Sequence, residues 1–134
     1  EEMFKYNSAS THLEFFKSVK KHKKIFKDLI LNLQDMKKKI IGYGASTKGN
    51  VILQYCKFNH SNFKFIADVN KDKRNKFTPG SYIKIIDEKE IKKIKPDYMV
   101  VLPWHFKNFI IQKEKKFLNE GGKLIFPLPD IEII

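Results

Sequence analysis

The sequence predicts an α/β fold: a parallel sheet of about five strands with helices on both faces, preceded by a long amphipathic helix. Three observations lead there. Between residues 13 and 36 apolar side chains recur at helical steps while lysines crowd the remaining positions. Beyond residue 38 strand-like runs alternate with helical stretches, a pattern that a parallel sheet with crossover helices satisfies. The stretch IIGYGASTKGNVI at 40–52 runs from an apolar strand through a glycine turn into a helix start. The 134 residues make one domain, with the leading helix in 1–37 and the sheet core in 38–134.

The leading helix carries Phe16, Val19, Phe26, Leu29, Ile30, Leu33 and Met36 on one stripe. Ser10 or Thr11 is its expected cap, with Glu14 near the place of a capping-box acid. His22 falls on the same stripe, and with no second His or Cys one turn away it reads as packing rather than metal ligation. Strands are expected at 39–43, 63–69, 82–86, 98–102 and 123–126. Helices are expected at 48–57, 87–93 and 106–118, the last ended by Gly121 and Gly122. The polar segment 70–80 reads as a loop with at most one turn of helix.

With 27 Lys and Arg against 15 Asp and Glu the formal charge is +12, which invites a nucleic-acid reading through counterion release. The distribution argues against such a partner. Lysines are spread over every segment, and Arg74 is the sole arginine, although base readout favours arginine's fork. Cys56 stands alone and no secretory leader is visible, so a reducing, cytoplasmic setting is expected. No membrane partner is expected either, because the longest apolar run, 98–104, falls well short of the roughly 20 residues that cross a bilayer. An opening Glu1 in place of Met suggests a piece of something longer.

The glycine turn matches neither familiar phosphate pattern. A dinucleotide fingerprint needs a third glycine where Thr47 stands, and a Walker loop needs Lys and a hydroxyl residue after Gly49, where Asn50 and Val51 stand. Gly42 and Gly44 still permit a tight turn, and a helix opening near Thr47 would aim free N–H groups at a phosphate, with Lys48 adding a charge. The alternative is that the glycines serve the turn alone. Ligands of such sheets bind outside the carboxyl ends of the strands, where strand order reverses. That rule also selects Asp68, Val69 and Asn70, and Pro103, Trp104 and His105. Asp68 is either an acid that holds ribose or a cap for the next loop. Trp104 either stacks on a base or packs under the next helix, which His105 would cap. No metal spacing, catalytic triad or G-x-S-x-G elbow appears, so no catalytic residue is assigned and the chain reads as a binding domain.

In order along the chain, KKIIGYGASTKGNVILQYC, FIADVNKDKRNKFTPGSYIKI, KPDYMVVLPWHFKNFI and GGKLIFPLP resemble the C-terminal domain of S-adenosylmethionine-dependent sugar C-methyltransferases. These are three-part enzymes that methylate a carbon of a nucleotide-linked deoxysugar. The likeness runs from residue 4 to the end. It implies a Rossmann-like domain that helps hold the nucleotide-linked sugar. S-adenosylmethionine and the catalytic residues would belong to a middle domain and a structural zinc to an N-terminal portion, both outside these 134 residues. The domain by itself is then expected to be inactive and to work with the remaining domains of the parent chain.

The resemblance implies a place near the nucleotide diphosphate for Gly42, Tyr43, Gly44, Ala45, Lys48, Gly49 and Asn50, with Ser46 in the same turn. It matches Asp68 and Asn70 to the end of the second strand, Pro79 and Gly80 to the turn that follows, and Pro103 and Trp104 to the end of the fourth strand. Ser46 and Thr47 replace what is often a Pro-Ala-like pair, and His105 stands where Asn is common. Two other classes remain open: a nicotinamide-cofactor domain with Asp68 on the ribose, and a non-catalytic interaction domain that docks through the basic leading helix.

Overall fold

The computed structural model describes the backbone of residues 2–134 and the side chains of 11–134. Helix α1 (Glu2–Asp35) leads into β1 (Ile40–Tyr43), α2 (Thr47–Tyr55), β2 (Phe65–Asp68), β3 (Lys84–Asp87) and α3 (Ile91–Ile94). There follow β4 (Tyr98–Val101), α4 (Lys107–Lys113), α5 (Lys115–Asn119), β5 (Lys123–Phe126) and β6 (Glu132–Ile133). The strands lie in the order β3-β2-β1-β4-β5-β6, parallel throughout except that β6 runs antiparallel to β5. Chain order reverses between β1 and β4, so the carboxyl ends of those two strands frame the switch point of the sheet.

Successive strand residues point to opposite faces, and the burial follows that period. Ile40, Ile66, Val100, Leu102 and Ile125 meet Phe26, Ile30 and Leu33 of α1 and Ile52 and Leu53 of α2. Ile41, Tyr43, Met99, Val101 and Leu124 meet Ile91 of α3, Ile110 of α4 and Phe117 and Leu118 of α5. Burying Phe26 and Ile30 completely contributes roughly 1.5–3 kcal/mol each over leaving them in water.

Several boundaries differ from the sequence expectation. Helix α1 already includes Ser10 and Thr11, so neither is its cap. Its stripe is buried only at Phe26, Ile30 and Leu33: Phe16 near its start is 63% exposed, Val19 and Leu29 are half-buried, and Met36, just past the helix end, is 63% exposed. The reason is length, since 34 helical residues run about 51 Å while a four-residue strand spans about 13 Å. His22 is half-buried and hydrogen-bonds the Pro127 carbonyl through Nε2, a packing role at the edge of the core.

The expected helix at 106–118 is a 3₁₀ turn (Trp104–Phe106) and two short helices, α4 and α5, that break at Glu114. The expected helix at 87–93 is a 3₁₀ turn (Glu88–Glu90) running into α3, which Lys95 ends at φ 51°. Strand β3 starts two residues late because Tyr82 turns at φ 54°. Strand β6 was not expected at all. It is two residues long and shows no alternation to read. Segment 70–80 is a loop with one 3₁₀ turn (Lys71–Lys73).

Candidate functional site

The turn after β1 is built by contacts that need glycine. Gly44 sits at φ +82°, and a Cβ there would come within 2.6 Å of Pro103 Cδ, at the end of β4. Ser46 caps α2, its Oγ accepting from the Gly49 amide at 3.0 Å. A Cβ on Gly49 would lie 2.5 Å from Leu102 Cβ. Gly49 therefore does what the third glycine of a dinucleotide fingerprint does, letting the helix lie close on the sheet, two residues later than the fingerprint has it.

The backbone donors of the turn can be counted. Gly44 N donates to Ala67 O at 2.7 Å, Ala45 N to Asp68 Oδ2 at 2.7 Å, Ser46 N to Gly44 O at 3.0 Å and Asn50 N to Ser46 O at 3.0 Å. With Gly49 N held by Ser46, the amides of Thr47 and Lys48 are the ones left without a partner among the described residues. They point the positive end of α2 outward beside the exposed Lys48 side chain, an arrangement suited to an anion.

Two side chains from β2 and its loop hold the Ala45 peptide from both ends. Asp68 accepts the Ala45 N–H, while Lys73 Nζ donates to the Ala45 carbonyl at 2.7 Å and lies 4.0 Å from Asp68 Oδ2. The second carboxylate oxygen of Asp68 accepts from Asn70 N at 2.7 Å. Asn70 in turn caps the 3₁₀ turn, its Oδ1 accepting from Asp72 N at 2.9 Å. Asp68 thus fastens the turn and caps its own loop.

Beside the turn, on the α4 face of the sheet, lies a cleft of about 490 Å³. Its floor is Tyr43 and Ala67, and its walls include Val69, Phe106, Phe109 and Ile110. Tyr43 is buried, with its hydroxyl donating to Glu114 Oε1 at 3.0 Å. Burial, and then the carboxylates of Glu114 and Glu88, push its phenol well above the usual tyrosine range. Lys113 pairs with Glu88 at 2.9 Å and stands 5.9 Å from the Tyr43 ring centre. A second, wider hollow of about 850 Å³ opens between α3 and α5, where Pro96 and Asp97 precede β4 and Gly121 and Gly122 precede β5.

Residues 1–129 match the model of the C-methyltransferase C-terminal domain. The chain belongs to this family. A curated relative, the C-methyltransferase NovU of Streptomyces niveus, is 38% identical over 97 residues, which is 72% of this chain and 23% of the relative. The chain thus spans less than a quarter of that relative's length.

Within this C-methyltransferase C-terminal domain, the residues expected at the site divide into groups. Tyr43, Gly44, Ala45, Ser46 and Asp68 line the cleft together. Gly42 lies under them, its α-carbon packed so that a Cβ would reach within 2.7 Å of Ile66 Cγ1. Lys48 is on the helix start, outside the cleft lining. Asn50 follows one step later, its Oδ1 buried without a donor among the described residues. Pro79 and Gly80 are tied to the far end of α2, where Gln54 Nε2 donates to Pro79 O at 2.7 Å.

Trp104 is half-buried and touches both core clusters. His105 is exposed, lies tilted at 42° against Phe106 with ring centres 4.2 Å apart, and caps no helix. Val69, which the strand-end rule selected, lines the cleft, whereas sequence reasoning missed Lys73, Phe106, Phe109 and Lys113. A usable signal was there: Phe106 and Phe109 stand one helical turn apart, immediately after a strand end at the switch point.

Proposed function

We propose that this domain anchors the nucleotide-linked sugar of an S-adenosylmethionine-dependent sugar C-methyltransferase, with the remaining domains of the parent chain as its partners. The observation that carries the reading is the switch point itself. Two free amides and a lysine at the start of α2 stand next to an aromatic-walled cleft, across a turn that Gly44, Asp68 and Lys73 hold rigid. The diphosphate belongs at Thr47 and Lys48, and the nucleoside beside it.

The residues here do not fit the two groups the family uses elsewhere. A group held by its ribose hydroxyls wants a strand-end acid open to it, and the Asp68 side chain, each oxygen accepting a peptide N–H, is only 10% exposed. The same observation weighs against a nicotinamide-cofactor domain. For zinc, no cluster of three or more His, Cys, Asp or Glu that could hold a metal occurs among the described residues. The domain's contribution is register. Binding energy at the remote diphosphate and nucleoside orients the reacting sugar, and misplacement by about 1 Å can cost on the order of a hundredfold in rate.

Calorimetric titration with thymidine diphosphate, NAD and S-adenosylmethionine tests this. Binding of the nucleoside diphosphate alone is expected. Preference for NAD or S-adenosylmethionine, or silence from all three, would overturn it.

A further inference from the structure

Helix α1 crosses the sheet from its amino edge to its carboxyl edge. Gln34 donates to Ser61 O and accepts from Asn62, ahead of β2, while His22 meets the Pro127 carbonyl one residue beyond β5. The helix before His22 therefore lies past the carboxyl ends of the strands, where the glycine turn opens, and residues 2–21 carry it roughly 30 Å. Its apolar stripe does not stop at that edge. Phe26, Ile30 and Leu33 are buried on the sheet, and the same steps of three and four run back through His22 to Val19 and Phe15. Phe15 is 65% exposed and Phe16 beside it 63%, so this domain leaves them largely uncovered. A helix in water draws most of its stability from packing such a face, and here the face has no body under it.

Three occupants differ in shape and charge. The body of the domain stands on the stripe side of the helix, so a flat bilayer cannot lie along the stripe, whereas a folded domain can sit in the angle. A second copy would set two bodies of formal charge +12 against each other. The third occupant is the rest of the parent chain. The family model is that of a C-terminal domain and the chain covers 23% of its relative, so in such a protein the preceding chain arrives at the start of α1, at the free end of the stripe.

We infer that the part of the parent chain preceding this domain is seated on Phe15, Phe16 and Val19, which makes α1 a core helix of two bodies and not a flexible link. The inference rests on the parent-chain partner proposed above and adds where that partner sits. The seated surface is apolar, with acidic groups at its rim for Lys20, one turn from Phe16. Lys17, Lys21 and Lys24, on the opposite and exposed side, stay in water. A stiff joint of this kind holds the preceding domain at a fixed angle over the carboxyl edge of the sheet.

The test compares hydrogen exchange in the 134-residue domain and in the full parent chain. Amides of 11–21 are expected to exchange on the order of tenfold more slowly in the parent, while those of 26–33 are slow in both. Phe15→Ser with Phe16→Ser should remove that added protection and leave the melting of the isolated domain unchanged, since both side chains are exposed; circular dichroism checks the fold. Equal exchange in domain and parent would overturn the inference. So would a dimer of the isolated domain in sedimentation, or its binding to phosphatidylglycerol vesicles, if the double variant abolished it, for the stripe would then belong to a second copy or to a lipid surface. Nucleoside diphosphate calorimetry reads the anchoring role separately, so silence there with protection at 11–21 overturns anchoring alone.

Discussion

The wider of the two hollows lies at the amino ends of β4 and β5, and the smaller at the carboxyl ends of β1 and β2 on the same face of the sheet. The wide one is bordered by Lys92, Lys95, Lys116 and Glu120, all exposed chains that a ligand would have to immobilise. Fixing a lysine costs up to about 2 kcal/mol of rotamer entropy. The small one is bordered by a turn already fastened by Asp68 and Lys73 and by aromatic rings with two torsions each. Volume therefore ranks the two hollows in one order and preorganisation in the other, and binding follows preorganisation.

The comparison is broken most easily at the turn. Gly44→Val forces a β-branched side chain into the left-handed region and against Pro103, and should destabilise the domain by about 3 kcal/mol or more in urea unfolding. A loss below about 1 kcal/mol would mean that the turn is not the rigid element assumed. Next in size is Asp68→Ala, which frees the Ala45 and Asn70 amides. A loss of about 2 kcal/mol is expected, together with faster hydrogen exchange at those two amides and weaker nucleoside diphosphate binding.

Tyr43 sharpens the comparison at the cleft floor. Its phenol titrates higher in the folded than in the unfolded state, so its contribution is complete below the ordinary tyrosine value near 10 and fades as pH rises beyond it. In an alkaline absorbance titration one of the five tyrosines should stay protonated until the domain unfolds. Tyr43→Phe should abolish that delayed phase and cost about 1 kcal/mol at neutral pH. The smallest effect is expected in the wide hollow. Lys92→Ala with Lys116→Ala should change stability by less than about 0.5 kcal/mol and leave nucleoside diphosphate affinity within about twofold. A larger effect on binding there than from Phe106→Ala or Phe109→Ala at the small cleft would reverse the ranking of the two hollows.

Much of the fold was legible because its signals are local. The short apolar runs Ile40–Tyr43 and Tyr98–Val101, the stripe of α1 and the glycine turn are each read from residues close together in the chain. What was not legible depends on partners distant in sequence. The stripe of α1 does not show where the sheet stops, so Phe16 looked like core. Asp68 reads equally well as a ribose acid or as a cap until Ala45 and Asn70 are seen donating to it. Trp104 and Phe106 are two aromatics two residues apart, and only the packing of both core clusters around Trp104 assigns the exposed face to Phe106.

The sequence by itself determined the class of the fold, the place of the turn and the family, because periodicity, glycine positions and motif order are properties of the chain alone. Tertiary structure decided which strand ends meet, which amides stay free and which aromatic faces stay uncovered. Those are outcomes of pairing between segments far apart in the chain, as Gly44 against Pro103 illustrates, and no local pattern encodes a neighbour that arrives from the other side of a sheet.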